Sequence, residues 1–210
     1  MSDIEKNKNK KSFFTTGNMV SCAMLSACAT ILMLFEIPLT FIAPSFYKID
    51  LSELPVLIGA FSMGPVAGVI IELLKVLLNL VINGTETAFV GEIANFVVGC
   101  TYVVPAAIIY QHKKTKGTAL LSLLVGGVMM SLLSTVINAF VMLPMYAKLF
   151  DMPVSAIIEM GSAIFPFVDS MFDFCLVCVL PFNLIKALVV STITFFIYKP
   201  LSVLIKGLNN

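Results

Sequence analysis

The chain has 210 residues, of which 59% are hydrophobic and 12% charged, and its mean hydropathy of +1.02 is too high for a water-soluble domain of this length. It is therefore an integral membrane protein. The formal net charge is +1 and every basic residue is a lysine, so nothing points to a nucleic-acid partner and bidentate arginine clamps on phosphate are absent.

Residues 1–17 form a basic tail carrying Lys6, Lys8, Lys10 and Lys11, followed by a first apolar run over 18–36. That run is long for the apolar core of a signal peptide, and Glu36-Ile-Pro-Leu offers no small-x-small cleavage site, so a retained first span is predicted. Within it, Ala23-Met-Leu-Ser-Ala27 sets small residues four apart, a spacing that permits close helix approach. Ordinary packing inside the bundle and contact with a partner both fit. An irregular stretch with Pro38 and Pro44 then carries Tyr47-Lys48-Ile49-Asp50, where Tyr47 and Asp50 either gate a pocket or anchor the loop at the interface.

The apolar stretch from Leu51 to Asn83 would be about 50 Å long as one helix, against a hydrocarbon core of about 30 Å. Gly64-Pro65 interrupts it, so two spans are expected, a short one over 51–63 and another over 65–82. The loop before the short span should dip toward the core, sheltered by protein. Glu72, Lys75 and Asn79 share a helical face, and Lys75 either pairs with Glu72 or reaches a ligand.

A fourth span is predicted over 91–110. Glu92 and Asn95 at its start either contact ligand or cap the helix and hold the Gly84–Gly91 loop. The loop with His112, Lys113, Lys114 and Lys116 is solvated, and a fifth span follows over 118–143. Pro144 to Phe174 is then a long connection, with a short interfacial helix around 154–163. Connections of that length are often lids. A sixth span, 175–198, precedes a tail over 201–210.

The predicted fold is thus all-α, a single membrane domain over 18–200 with six transmembrane helices. Six spans keep the three lysine-rich regions on one side, which the positive-inside rule makes cytoplasmic, together with both termini; five spans would split them. No internal repeat is visible, which weakens an inverted-repeat transporter reading.

Enzymatic chemistry is hard to assemble. The single histidine, His112, lies in the lysine-rich loop, and Cys175-Leu-Val-Cys178 has metal-like spacing without partner ligands, so structural thiols are expected there and no metal. No G-x-x-x-x-G-K-[ST] segment occurs, so any nucleotide energy must come from a partner. The anomaly is Asn183 and Lys186, three residues apart in the last apolar run. An ionisable residue within a span is by default a functional-site hypothesis. The competing explanation is that Lys186, about 8 Å along the helix from a start at Pro181, snorkels to the interface.

The motifs carry a resemblance. The segment 44–65 with its Lys48-Ile49-Asp50 and Gly64-Pro65 elements, Lys75-x-x-x-Asn79, Gly84-Thr-Glu-Thr-Ala-Phe-Val-Gly-Glu92, Asn138-Ala-Phe-Val-Met-Leu-Pro144 and Pro181-Phe-Asn-Leu-Ile-Lys186 resemble the substrate-binding S components of energy-coupling factor (ECF) vitamin transporters, and among them the riboflavin-specific branch. The resemblance implies a six-helix protein of a bacterial-type cell membrane. It implies capture of riboflavin from outside and delivery inward with a transmembrane coupling protein and two ATPase subunits; the single lysine near the pocket leaves FMN open as a ligand without selecting it. Carried onto these positions, Asn138, Asn183 and Lys186 would bind the vitamin, with Tyr47, Glu92, Asn95, Lys75 and Asn79 as further candidates. Ala23 and Ala27 would face the coupling protein. No resident cofactor is implied.

The residue chemistry agrees with a flavin, because an amide both donates and accepts while an ammonium only donates, and together they match the alternating groups on the uracil-like edge of the ring. Phe46, Phe89 and Phe182 are candidate apolar walls. The rival readings are an S component for another vitamin or related small molecule, and an intramembrane enzyme or sensor using Glu72, Glu92 or Lys186 catalytically or as a proton relay.

Overall fold

The computed structural model describes residues 15–85 and 87–207, so the first four lysines and Glu86 lie outside the described residues. The chain forms helices α1 (Thr16–Met33), α2 (Glu53–Met63), α3 (Pro65–Asn83), α4 (Val90–His112), α5 (Lys116–Ile137), α6 (Leu143–Leu149), α7 (Val154–Ser162), α8 (Met171–Phe174) and α9 (Leu180–Gly207). A two-residue antiparallel ribbon, β1 (Ile37–Pro38) with β2 (Lys48–Ile49), pairs Ile37 with Ile49 and Pro38 with Lys48. Among the described residues, five helices are long and apolar enough to cross a membrane: α1, α3, α4, the continuous stretch Lys116–Leu149, and the stretch Met171–Leu201.

Local chemistry sets the boundaries. Thr15 and Thr115 cap α1 and α5 by accepting from the amides of Asn18 and Thr118, which satisfies donors that a helix start leaves orphaned. The expected break falls at Gly64, whose φ of 105° is readily adopted only by glycine, and Pro65 then opens α3 at a position where its missing N–H costs nothing. Helix α2 has 11 residues, or about 16 Å at 1.5 Å per residue. Glu53 through Ser62 are all buried, so the short helix is wrapped by the others.

The packing divides into two clusters. In the bundle, Leu57, Phe61, Ile71, Tyr102, Leu123 and Met130 form the centre. Helices α4 and α5 meet where a Cβ on Gly126 would approach the Tyr102 carbonyl to 2.6 Å, closer than real side chains come. The Tyr102 hydroxyl bonds Ser191 of α9 at 2.6 Å. Outward-facing Leu77, Val81, Leu121, Leu132, Leu188 and Phe196 are exposed on the bundle surface, as expected for side chains that meet lipid.

The second cluster caps one end of the bundle and holds Ala43, Leu143, Ile157, Val168, Phe174, Cys175, Cys178 and Phe182. The long connection is therefore largely structured: the fifth span runs on through α6, and α7 occupies Val154–Ser162. Both long stretches contain a widened π turn, at Asn138–Met142 and Cys175–Val179, and each is followed by a proline, Pro144 or Pro181. A proline ring clashes with the carbonyl four residues back in an α-helix, and a wider turn relieves that clash. The two π turns touch each other at the cap end.

Candidate functional site

Between the cap and the bundle lies a cavity of about 500 Å³, within the range of about 300–1,000 Å³ typical of small-molecule sites. The loop before α2 supplies Phe46, Tyr47, Lys48 and Asp50; α3 supplies Asn79 and Asn83; the loop and start of α4 supply Thr87, Glu92 and Asn95. The first π turn adds Asn138 and Met142, α6 adds Tyr146, and α9 adds Phe182 and Lys186. A neighbouring, more apolar chamber, walled by Leu143, Phe150, Met152, Ile157 and Met160, shares Phe46, Lys48, Thr87 and Tyr146 with it.

Two contacts tie the loop to the deep polar residues. The Tyr47 hydroxyl donates to Asn138 Oδ1 at 2.8 Å, while Asn138 Nδ2 donates to the Ser134 carbonyl at 2.8 Å, a carbonyl within one helical turn of the π segment. Burial, then the nearby Cys175, Tyr146 and Cys178, push the Tyr47 phenol well above its ordinary value, so it stays a donor. Lys186 Nζ lies 2.9 Å from Asp50 Oδ2. Burial acts to raise the Asp50 carboxyl, but Lys186, Lys75 and hydrogen bonds from Ser52 and Lys186 outweigh it and hold the group well below the usual carboxylate range. Asp50 is therefore ionised, and its pair with Lys186 is a true ion pair.

At the rim, Lys48 meets Glu36 at 2.7 Å across the ribbon. Thr87 donates to Glu92 Oε2 at 3.1 Å and accepts from the Gly91 amide at 2.9 Å, so Glu92 and Thr87 hold the start of α4. Ala88 and Phe89 just before it have φ of 47° and 70°, a left-handed conformation that non-glycine residues adopt at a cost and that concentrates at functional sites. Asn95 lines the cavity, and its Oδ1 is buried with no hydrogen-bond partner among the described residues.

Six of the eight ligand candidates, Asn138, Lys186, Tyr47, Glu92, Asn95 and Asn79, therefore line one cavity. The other two are placed differently. Lys75 is fully buried, 2.9 Å from Glu53 Oε1 and 2.7 Å from Glu72 Oε1, so the internal pairing expected with Glu72 includes Glu53 as well. Asn183 is buried outside the cavity lining and donates to the Val179 carbonyl at 2.9 Å. Phe46 and Phe182 are walls, whereas Phe89 is half-exposed outside the lining. Ala23 and Ala27 point away from the bundle on the exposed face of α1. The partners Asp50 for Lys186 and Glu53 for Lys75 were missed because each lies far from its lysine in sequence. The signal for them was an acid at each end of the segment Asp50-Leu-Ser-Glu53.

A cavity that joins an amide, an ammonium, tyrosines and aromatic walls can bind a flat heterocycle with polar edges. A family model described as the ECF transporter substrate-specific component matches residues 17–198. Among curated proteins, the riboflavin transporter RibU of Staphylococcus aureus is 29% identical over 90% of this chain and 92% of its own length. The riboflavin transporter FmnP of Bacillus subtilis is 29% identical over 86% and 89%, and RibU of Lactococcus lactis subsp. cremoris 31% identical over 85% and 89%. A solved structure of the S component of a bacterial ECF transporter superposes with a TM-score of 0.69 at 29% identity, covering 90% of this chain and 97% of that one.

Proposed function

The chain belongs to the substrate-specific components of ECF transporters, and from that premise we propose that it captures riboflavin at the outer face of a bacterial cell membrane and releases it inward with an ATP-driven module. The observation that carries the reading is the cavity, in which Lys186, Asn138 and Asn95 offer donors and an acceptor beside Phe46, Tyr47 and Phe182. In this reading the uracil-like edge of the flavin meets the ammonium and amides and the fused rings lie against the aromatic walls. Tyr47 and Asp50 hold Asn138 and Lys186 before the ligand arrives, so the loop before α2 both covers and preorganises the polar wall. Asn183 acts indirectly, by fixing the second π turn behind Phe182.

In the full arrangement α2 crosses as the short second of six spans, both termini lie in the cytoplasm, and the cavity faces outward. Ala23 and Ala27 offer α1 a flat strip for a transmembrane coupling subunit, and hydrolysis belongs to two ATPase subunits. The chain is a transport subunit, not an enzyme. FMN, which keeps the same ring and adds a phosphate at the end of the ribityl chain, would be a second ligand. Leucine at both Ala23 and Ala27 is expected to abolish uptake into cells while leaving flavin binding intact; undiminished uptake would remove that surface from the account.

The experiment for the ligand is direct because the chain has no tryptophan and riboflavin is itself fluorescent. Titrating purified protein into riboflavin should quench its emission saturably, with one ligand per chain. Emission that merely dilutes, without saturation, would reject the flavin assignment.

A further inference from the structure

At the cavity wall and beneath it, Asp50, Glu53 and Glu72 form a cluster whose ion pairs among the described residues involve two cations, Lys75 and Lys186. Three carboxylates against two ammoniums leave one surplus negative charge, and the Glu53, Glu72 and Lys75 part of the cluster is closed to water. Glu72 and Lys75 are wholly inaccessible and Glu53 is 3% exposed. An uncompensated charge there would be very costly.

The three carboxylates are not equivalent. Asp50 accepts from Lys186 at 2.9 Å and from the Ser52 amide at 2.7 Å. Glu53 accepts a directed hydrogen bond from Lys75 at 2.9 Å and stands in the first turn of α2, where the positive end of the helix dipole favours an anion. Glu72 shares that same cation, its Oε1 2.7 Å from Lys75 Nζ, but it lies in the interior of α3, where no helix end favours an anion, and no second cation pairs with it among the described residues. The groups that act on it are Glu53 from α2, Lys75 from its own helix, Lys186 from α9 and Cys100 from α4. A Cβ on Gly99 would collide with the Glu72 carboxyl and come within 3.2 Å of Glu53 Oε1, so α4 leaves a niche in which the two acids converge.

We propose that Glu72 is a resident proton-binding site in the membrane core: the folded protein carries one proton on this side chain, leaving Glu53–Lys75 and Asp50–Lys186 as two balanced ion pairs. The proton removes the surplus charge and gives Glu72 an O–H donor toward the unpartnered oxygens of the niche. This goes beyond the flavin reading and does not depend on it.

Infrared difference spectroscopy of the ligand-free protein in detergent, wild type minus Glu72→Gln, tests the proposal. The wild type should show a protonated-carboxyl C=O band that shifts in heavy water and vanishes in the variant. Because glutamine imitates a neutral carboxylic acid, Glu72→Gln should melt close to the wild type and bind riboflavin unchanged, whereas Glu53→Gln, which strips Lys75 of its counter-charge, should lower the melting temperature clearly. Absence of the band would overturn the proposal, as would a Glu72→Gln protein that fails to fold or loses as much stability as Glu53→Gln. So would stability that rises with sodium concentration without the band, since the surplus charge would then belong to a bound cation.

Discussion

Lys75 is buried and Lys186 partly so, and both are ion-paired, yet they serve different parts of the molecule. Lys186 retains 13% of its side-chain accessibility and meets one loop carboxylate at the wall of a cavity. Lys75 is sealed between two glutamates from two helices with no accessible surface. An ion pair that borders a cavity can be shared with a ligand, while one enclosed by packing can only hold helices together. The same contrast separates the two packing clusters, a bundle core centred on Phe61, Tyr102 and Leu123 and a cap in which Leu143, Ile157, Phe174 and Phe182 pack around the two π turns beside the cavity.

Replacement of Lys75 is the harshest way to test this division. Lys75→Met leaves Glu53 without its hydrogen-bonded cation, and breaking a buried pair from one side costs about 3–5 kcal/mol. The expected result is a large fall in melting temperature or failure to accumulate in the membrane. Lys186→Ala should instead fold and lose ligand: a hydrogen bond to a charged group contributes about 1.5–3 kcal/mol, so riboflavin affinity should fall about 10- to 100-fold. If Lys186→Ala were the variant that unfolded and Lys75→Met the one that lost affinity, the two assignments would have to be exchanged.

Gly99→Ala probes the sealed side more gently. The added methyl meets Glu72, and overpacking of this kind costs about 1–3 kcal/mol, so melting should drop while affinity in the surviving folded protein holds. Tyr47→Phe is the mildest test on the cavity side, because it deletes one hydrogen bond to Asn138, a contribution of about 0.5–1.5 kcal/mol. A fall in affinity of about 2- to 13-fold, without a change in melting temperature, is expected.

Much of this organisation was legible in the sequence because lipid imposes strong rules. Run lengths and Gly64-Pro65 located the helices, and an out-of-place lysine marked the cavity wall. What escaped were features fixed by distant contacts. Asp50 and Lys186 are 136 positions apart, so no helical spacing relates them, and the pairing of Lys75 with Glu53 depends on how α2 sits against α3. The π turns had a local signal in Pro144 and Pro181, but a proline in an apolar run equally allows a kink or a loop. Asn183 shares a helical face with Lys186, yet its amide is taken up by the Val179 carbonyl. Spacing identifies a face; it does not decide which member of that face meets the cavity.

We propose that Lys186 belongs to a flavin-binding wall, whereas Lys75 belongs to the scaffold. Parallel riboflavin titrations of the wild type and Lys186→Ala, both shown to be folded by their melting curves, test it most directly. The account predicts saturable quenching for the wild type and affinity weakened about 10- to 100-fold for the variant, in line with the loss of one charge-assisted hydrogen bond. Identical affinities would contradict it and leave Lys186 a structural partner of Asp50.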